Sequence, residues 1–172
     1  MMEYTIKPLE GFADKIGELA FTLEHTRAAT LNDIAGLKQN ELDYLDRADD
    51  NSIGALLAHI GAIEKVHQLI SFEGRDFTGK EWEQWGTAVE LGDKARAAIQ
   101  GYPLDYYLKG LEQIRQSTLR SLRSKDDSWL YQERCWPNGI PYNNYYLWFH
   151  VMEDEIKHRG QIRIIKRRLQ KG

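Results

Sequence analysis

Tyr142-Asn143-Asn144-Tyr145-Tyr146-Leu147-Trp148-Phe149-His150-Val151-Met152-Glu153-Asp154-Glu155-Ile156-Lys157-His158-Arg159-Gly160-Gln161-Ile162 is the stretch on which the fold turns. It reads as one long helix. At about 100° per residue, with His150 as zero, Asp154 lies at roughly 40°, His158 at roughly 80° and Gln161 at roughly 20°. Leu147 and Ile165 fall near 60°, and Val151 and Leu169 near 100°, on the same count. Two imidazoles, a carboxylate and an amide thus share the arc that the aliphatic residues assign to the core. Unpaired polar groups are costly to bury, so this arc needs partners: a metal ion or a hydrogen-bonded ion-pair network.

The same helix carries a second apolar stripe. Tyr145, Phe149, Met152 and Ile156 cluster at roughly 200–260°, nearly opposite the first. A helix with two apolar faces must bury both, so a further segment or a second subunit is expected there, and a homodimer is the reading we carry forward.

Working outward, three more helices are predicted. The first runs from about Pro8 or Leu9 into the thirties, with Phe12, Ile16, Leu19, Leu23, Thr26 and Thr30 as its inward stripe and Gly36 as its end. His25 lies off that stripe. Asn40 to Leu45 reads as a short capped turn. The second follows the cap-rich Asp49-Asp50-Asn51-Ser52 and runs to about Ile70, with Ile53, Leu56, Ile60, Ile63, Val66 and Ile70 buried. His59 falls in the middle of this face, and His67 at its edge, a weaker candidate. A lone core histidine is usually a satisfied packing residue, but His59 has candidate partners on the last helix.

The third helix opens at Pro103 and runs to about Arg123, with Leu104, Tyr107, Leu108, Leu111, Ile114, Thr118 and Leu122 inward. Between the second and third lies a long connection, Ser71 to Tyr102, expected to be functional or to hold short helices, with Trp82 and Trp85 as possible walls of a cleft. Asn138-Gly139 signals a turn, and Pro137 and Pro141 limit any sheet around it. The fold expected is all-α: an antiparallel four-helix bundle with long connections, one domain over 1–172.

Composition agrees. The 172 residues are 42% hydrophobic and 28% charged with a net charge of −3, the balance of a globular protein. That charge and the lack of aromatic–basic interleaving argue against nucleic acid as a partner. The basic tail (Arg159, Arg163, Lys166, Arg167, Arg168, Lys171) reads as cations at a helix C-terminus. The single cysteine, Cys135, excludes an internal disulfide and a cysteine-based metal cluster, which fits a reducing cytoplasm. Glu3, Lys7, Glu10 and Asp14 leave no apolar leader, and no apolar run is long enough for a membrane span, so no membrane role is expected.

Metal sites in helical bundles are built from ligands facing inward on neighbouring helices. His59 with Asp154 and His158, one turn apart, makes such a set, and it leaves coordination positions open as a catalytic site requires. Its nitrogen and oxygen donors suit Zn, Ni, Fe(II) or Mn. His150 is a possible fourth ligand or supporting donor, and Gln161 a supporting one.

At these residues the chain resembles the DinB/YfiT-like superfamily of metal-dependent enzymes. The resemblance rests on Asn51-Ser52-Ile53-Gly54-Ala55-Leu56-Leu57-Ala58-His59-Ile60 and on Glu153-Asp154-Glu155-Ile156-Lys157-His158-Arg159-Gly160-Gln161-Ile162, whose His-Arg-Gly-Gln-Ile tail is its most specific part. It implies a four-helix bundle, commonly dimeric, with a divalent metal held by one histidine of the second helix and two from the last. Those positions here are His59, Asp154 and His158. Asp154 stands where many members have histidine, so the site either survives as two histidines and a carboxylate or has become a buried ion-pair network.

The resemblance further implies thiol-dependent chemistry, with a low-molecular-weight thiol as cosubstrate of a small-molecule substrate. A metal-dependent hydrolase using Glu155 or Glu153 as base ranks lower, since both glutamates point away from the ligand arc. A non-catalytic dimeric helical protein with a degenerate site is the remaining alternative.

Overall fold

A computed structural model describes residues 3–170 of the chain; Lys171 of the basic tail lies outside the described residues. Four long helices form the bundle: α1 (Asp14–Ile34), α3 (Ile53–Gln68), α6 (Leu104–Leu122) and α8 (Asn144–Leu169). Between them come α2 (Gln39–Leu42), a π-helical turn (Leu69–Glu73), α4 (Gly79–Glu90), α5 (Gly92–Ala98) and α7 (Asp127–Leu130). A small antiparallel hairpin, β1 (Glu133–Cys135) with β2 (Pro141–Asn143), pairs Arg134 with Tyr142. Gly139, at φ +80°, makes the tight turn that Asn138-Gly139 signalled.

Each helix of the site is started by a residue the chemistry predicts. The Ser52 side chain accepts a hydrogen bond from the Ala55 amide at the start of α3, and Asn143 accepts from Tyr146 at the start of α8. Thr78 and Glu81 cap α4 reciprocally. α1 begins later than expected, at Asp14 rather than Pro8. Pro8 and Leu9 instead cross its first turn so closely that a Cβ at Gly17 would lie 2.9 Å from both. The cap comes from far along the chain: Asp127 accepts from the Lys15 and Ile16 amides at 3.0 and 3.1 Å.

α1 packs on α6 and α8, and α3 packs on α6 and α8. Contacts such as His59 to His158 and His67 to His150 make α3 and α8 antiparallel. Arg27 reaching Leu111, and Arg115 reaching Leu23, make α1 and α6 antiparallel too. The remaining neighbours run parallel, as Glu64–Arg115 and Gln68–Thr118 show for α3 and α6. Parallel neighbours need a chain return along the whole bundle. That explains the long connection after α3, which the α4 and α5 helices fill rather than a loop.

The core is two apolar halves with a charged layer between them. One half holds Ile34, Leu42, Ile53, Leu56, Leu111 and Ile162; the other holds Ile16, Leu23, Leu122, Trp129 and Trp148. In the layer, Arg27 bonds Glu155 and Glu64, both at 2.9 Å, and Arg115 bonds Glu64 at 2.8 and 3.0 Å. The Thr118 hydroxyl donates to Glu64 at 2.6 Å. This corrects the expected face of α3. Glu64, His67 and Gln68 are buried, whereas Ile63, Val66 and Ile70 are only partly covered.

Candidate metal centre

On the α3–α8 side of the charged layer, His59, Asp154 and His158 come together, each 8% exposed. One donor atom from each lies within 4.8 Å of the others. The local cause is the one read from the last helix: i,i+4 spacing puts Asp154 and His158 on one strip, and antiparallel packing brings His59 opposite. The two rings meet edge to face with centroids 4.6 Å apart.

The orientation of each ring is fixed from behind. His59 Nδ1 lies 2.8 Å from the Ala88 carbonyl on α4, and His158 Nδ1 lies 3.1 Å from the side-chain oxygen of Gln161. These oxygens can only accept, so each Nδ1 carries the proton and each neutral ring presents its Nε2 lone pair. Both lone pairs face the same carboxylate: His158 Nε2 is 3.3 Å from Asp154 Oδ1, and His59 Nε2 is 3.6 Å from Oδ2. Oδ2 is buried with no hydrogen-bond partner.

Three acceptors therefore converge with no proton between them when the rings are neutral. A cation or an added proton is what such a cluster lacks. Two donors bound at ~2.1 Å and a tetrahedral angle to one ion stand ~3.4 Å apart, close to the separations seen. The residues present fit a divalent ion. Without an ion, the electrostatics favour a proton shared with the carboxylate. Burial alone would raise the Asp154 pKa, yet the imidazoles of His158 and His59 hold the carboxyl well below the usual range. Burial opposes charge on His158, but Asp154 and Gln161 outweigh it and raise its pKa.

The other sequence candidates fall elsewhere. His150 is half-exposed, 3.2 Å from Glu153 and packed beside His67, with ring centroids 5.5 Å apart. It sits one turn from Asp154, outside the converging set. His67 is buried with Nδ1 on the Ile63 carbonyl at 2.7 Å, and burial is the main cause that pushes its pKa down to about 4. Gln161 is exposed but orients His158. Glu155 points away from the set as expected, into the charged layer, while Glu153 is at the surface. Cys135 is exposed on β1. Trp85 lines a cleft beside α4, whereas Trp82 packs over Gly86 at the surface.

Sequence reasoning missed Arg27, Glu64 and Arg115, and with them the ion pairs that bury Glu155. A signal was there: each stands four residues after an inward aliphatic (Leu23, Ile60, Leu111, Val151), and the four charges cancel. It also missed Ala88, which acts through its backbone carbonyl and leaves no side-chain signature.

The family model for mycothiol S-transferase matches residues 18–171. The chain belongs to the mycothiol S-transferase family. That places it in the DinB/YfiT-like superfamily, as the two quoted motifs imply. No curated protein matches the chain. Solved structures share the fold. An uncharacterised protein from Clostridium difficile 630 superposes with a TM-score of 0.67 at 16% identity, covering 88% of this chain and 95% of its own. A Streptococcus pneumoniae protein superposes at 0.64 with 15% identity, covering 99% and 94%. No helix among the described residues is long and apolar enough to cross a membrane.

Proposed function

We propose that this chain is a divalent-metal-dependent S-transferase, acting in the cytoplasm as a homodimer and joining a low-molecular-weight thiol to a small electrophile. The reading rests on one observation: two Nε2 lone pairs and an unpartnered carboxylate oxygen converge at metal-ligand spacing in a member of a family named for thiol transfer. His59, Asp154 and His158 would hold the ion, with Zn, Ni, Fe(II) and Mn all compatible with the donors. When bound, the ion supplies the positive charge that makes a thiolate available at neutral pH.

The chain's own residues do the rest. Ala88 and Gln161 lock the two imidazoles in the tautomer that presents Nε2, so no rearrangement is needed before a ligand arrives. His150, one turn before Asp154 on α8, and His67, two turns after His59 on α3, carry further ring nitrogens that would hydrogen-bond the polar part of the thiol. In the overall reaction the thiol loses its proton and its sulfur bonds the electrophilic carbon. The leaving group departs with its electron pair and takes up a proton.

Hydrolysis is the weaker reading because Glu155 is committed to Arg27 and Glu153 to His150, leaving no free carboxylate base beside the set. The test is consumption of mycothiol, and of other small thiols in parallel, with a chromogenic haloaromatic electrophile. Turnover should require added metal and disappear in His59→Ala. An equal rate in His59→Ala would contradict the proposal.

A further inference from the structure

A cleft of about 530 Å³ lies between α3, α4, α5 and α6, away from the three converging ligands. None of His59, Asp154 or His158 lines it. Its size is that of a small-molecule site, about 300–1,000 Å³. Tyr102 and Tyr106 stack at one wall with centroids 4.3 Å apart, and Tyr107 stands perpendicular to both. Trp85 closes the α4 side, and Lys109 and Gln113 lie among the polar lining residues.

One residue of the wall has no packing reason inside the chain. Gly110 sits in the middle of α6, where glycine is the poorest helix former after proline. A Cβ there would meet no atom within 4 Å, so nothing inside the chain requires glycine at that position. Gly61 on the facing helix also lines the cleft, but a Cβ there would lie 3.1 Å from Ile114, so close packing of α3 on α6 accounts for that glycine. The Tyr107 side chain in the wall is 3% exposed, and its hydroxyl turns from the cleft toward Gly54 of α3, where an added Cβ would lie 2.5 Å from it.

We propose that this cleft binds a planar aromatic acid. The flat ring would lie against the tyrosine and tryptophan faces, where aromatic pairs favour offset and edge-to-face contact. The acid group would meet Lys109, the charged residue of the lining, at the solvent side. The site is also wired to the metal centre, because Ala88 lines the cleft while its carbonyl holds His59 Nδ1 at 2.8 Å. An occupant that moves α4 therefore moves the ring that presents Nε2. The binding itself does not depend on the S-transferase reading or on metal.

The experiment is calorimetric titration of the metal-free protein with 2-naphthoate, alongside Gly110→Phe, which fills the cleft from an unobstructed position, and Ala98→Trp, which fills it from α5. The wild type should bind one equivalent. Each filled variant that keeps its cooperative melt should bind at least tenfold more weakly, and 2-naphthylmethylamine should bind the wild type more weakly than the acid. Absence of saturable binding to the wild type, or unchanged affinity in a folded filled variant, would overturn the proposal.

Discussion

At the scale of single residues, the site is decided by what stands behind each imidazole. His59 and His158 were legible because helix periodicity forces them inward. Their orientation was not, because it depends on the carbonyl of Ala88 and on Gln161. Removing such an outer partner typically lowers metal affinity by ~10–100-fold. Gln161→Ala is therefore expected to weaken metal binding by that order, measured by competition with a chelating dye, without changing the melting temperature of the metal-free protein. Glu64 makes a different prediction. Burial alone would raise its pKa, but Arg115 and Arg27 overcome this and lower it from 4.5 to about 2. A carboxylate depressed on folding stabilises the protein fully above its unfolded pKa, and that contribution is lost as pH falls through the folded one. Urea unfolding should show stability dropping between about pH 4.5 and pH 2. Glu64→Gln should lose on the order of 3–5 kcal/mol at pH 7, since it leaves buried guanidinium groups short of a partner.

At the scale of elements, caps and turns were the most legible features. Ser52, Asn143 and Gly139 do what their residue types predict. Ser52→Ala should cost ~1 kcal/mol, read by denaturant midpoint, because it strips the acceptor from the start of the helix that carries His59. The start of α1 was misread because Pro8 satisfies a first-turn rule that tertiary packing overrides: the chain folds back over Gly17, and Asp127 supplies the cap from a distant element. The connection after α3 was read as functional or as holding short helices, without placing them; they are α4 and α5. Helix α4 is 12 residues long and polar overall, and Gly86 is its buried residue. Yet this element supplies Ala88 and one wall of the aromatic cleft. Thr78→Ala, which removes half of the reciprocal cap, should raise amide hydrogen exchange across α4 more than across α3.

At the scale of the whole molecule, the bundle followed from four periodic stretches, while the charged layer through its middle did not. Periodicity counts apolar residues, and a balanced set of two arginines and two glutamates is invisible to that count until their positions relative to Leu23, Ile60, Leu111 and Val151 are compared. The second stripe of α8 is half accounted for within the chain. Tyr145 and Met152 pack against the α1 half of the core, whereas Phe149 and Ile156 remain 47% and 45% exposed. Covering that face is what the proposed homodimer would do. Light scattering at micromolar concentration is expected to give twice the 20.0 kDa chain mass, and Phe149→Glu with Ile156→Glu to give a monomer. The account as a whole stands on the ion that His59, Asp154 and His158 would share. Elemental analysis of the purified protein, after incubation with Zn, Ni, Fe(II) or Mn and desalting, tests it most directly. One equivalent of metal per chain, lost in both His59→Ala and His158→Ala, is the predicted result; no retained metal in the wild type, or full metal in either variant, would contradict it.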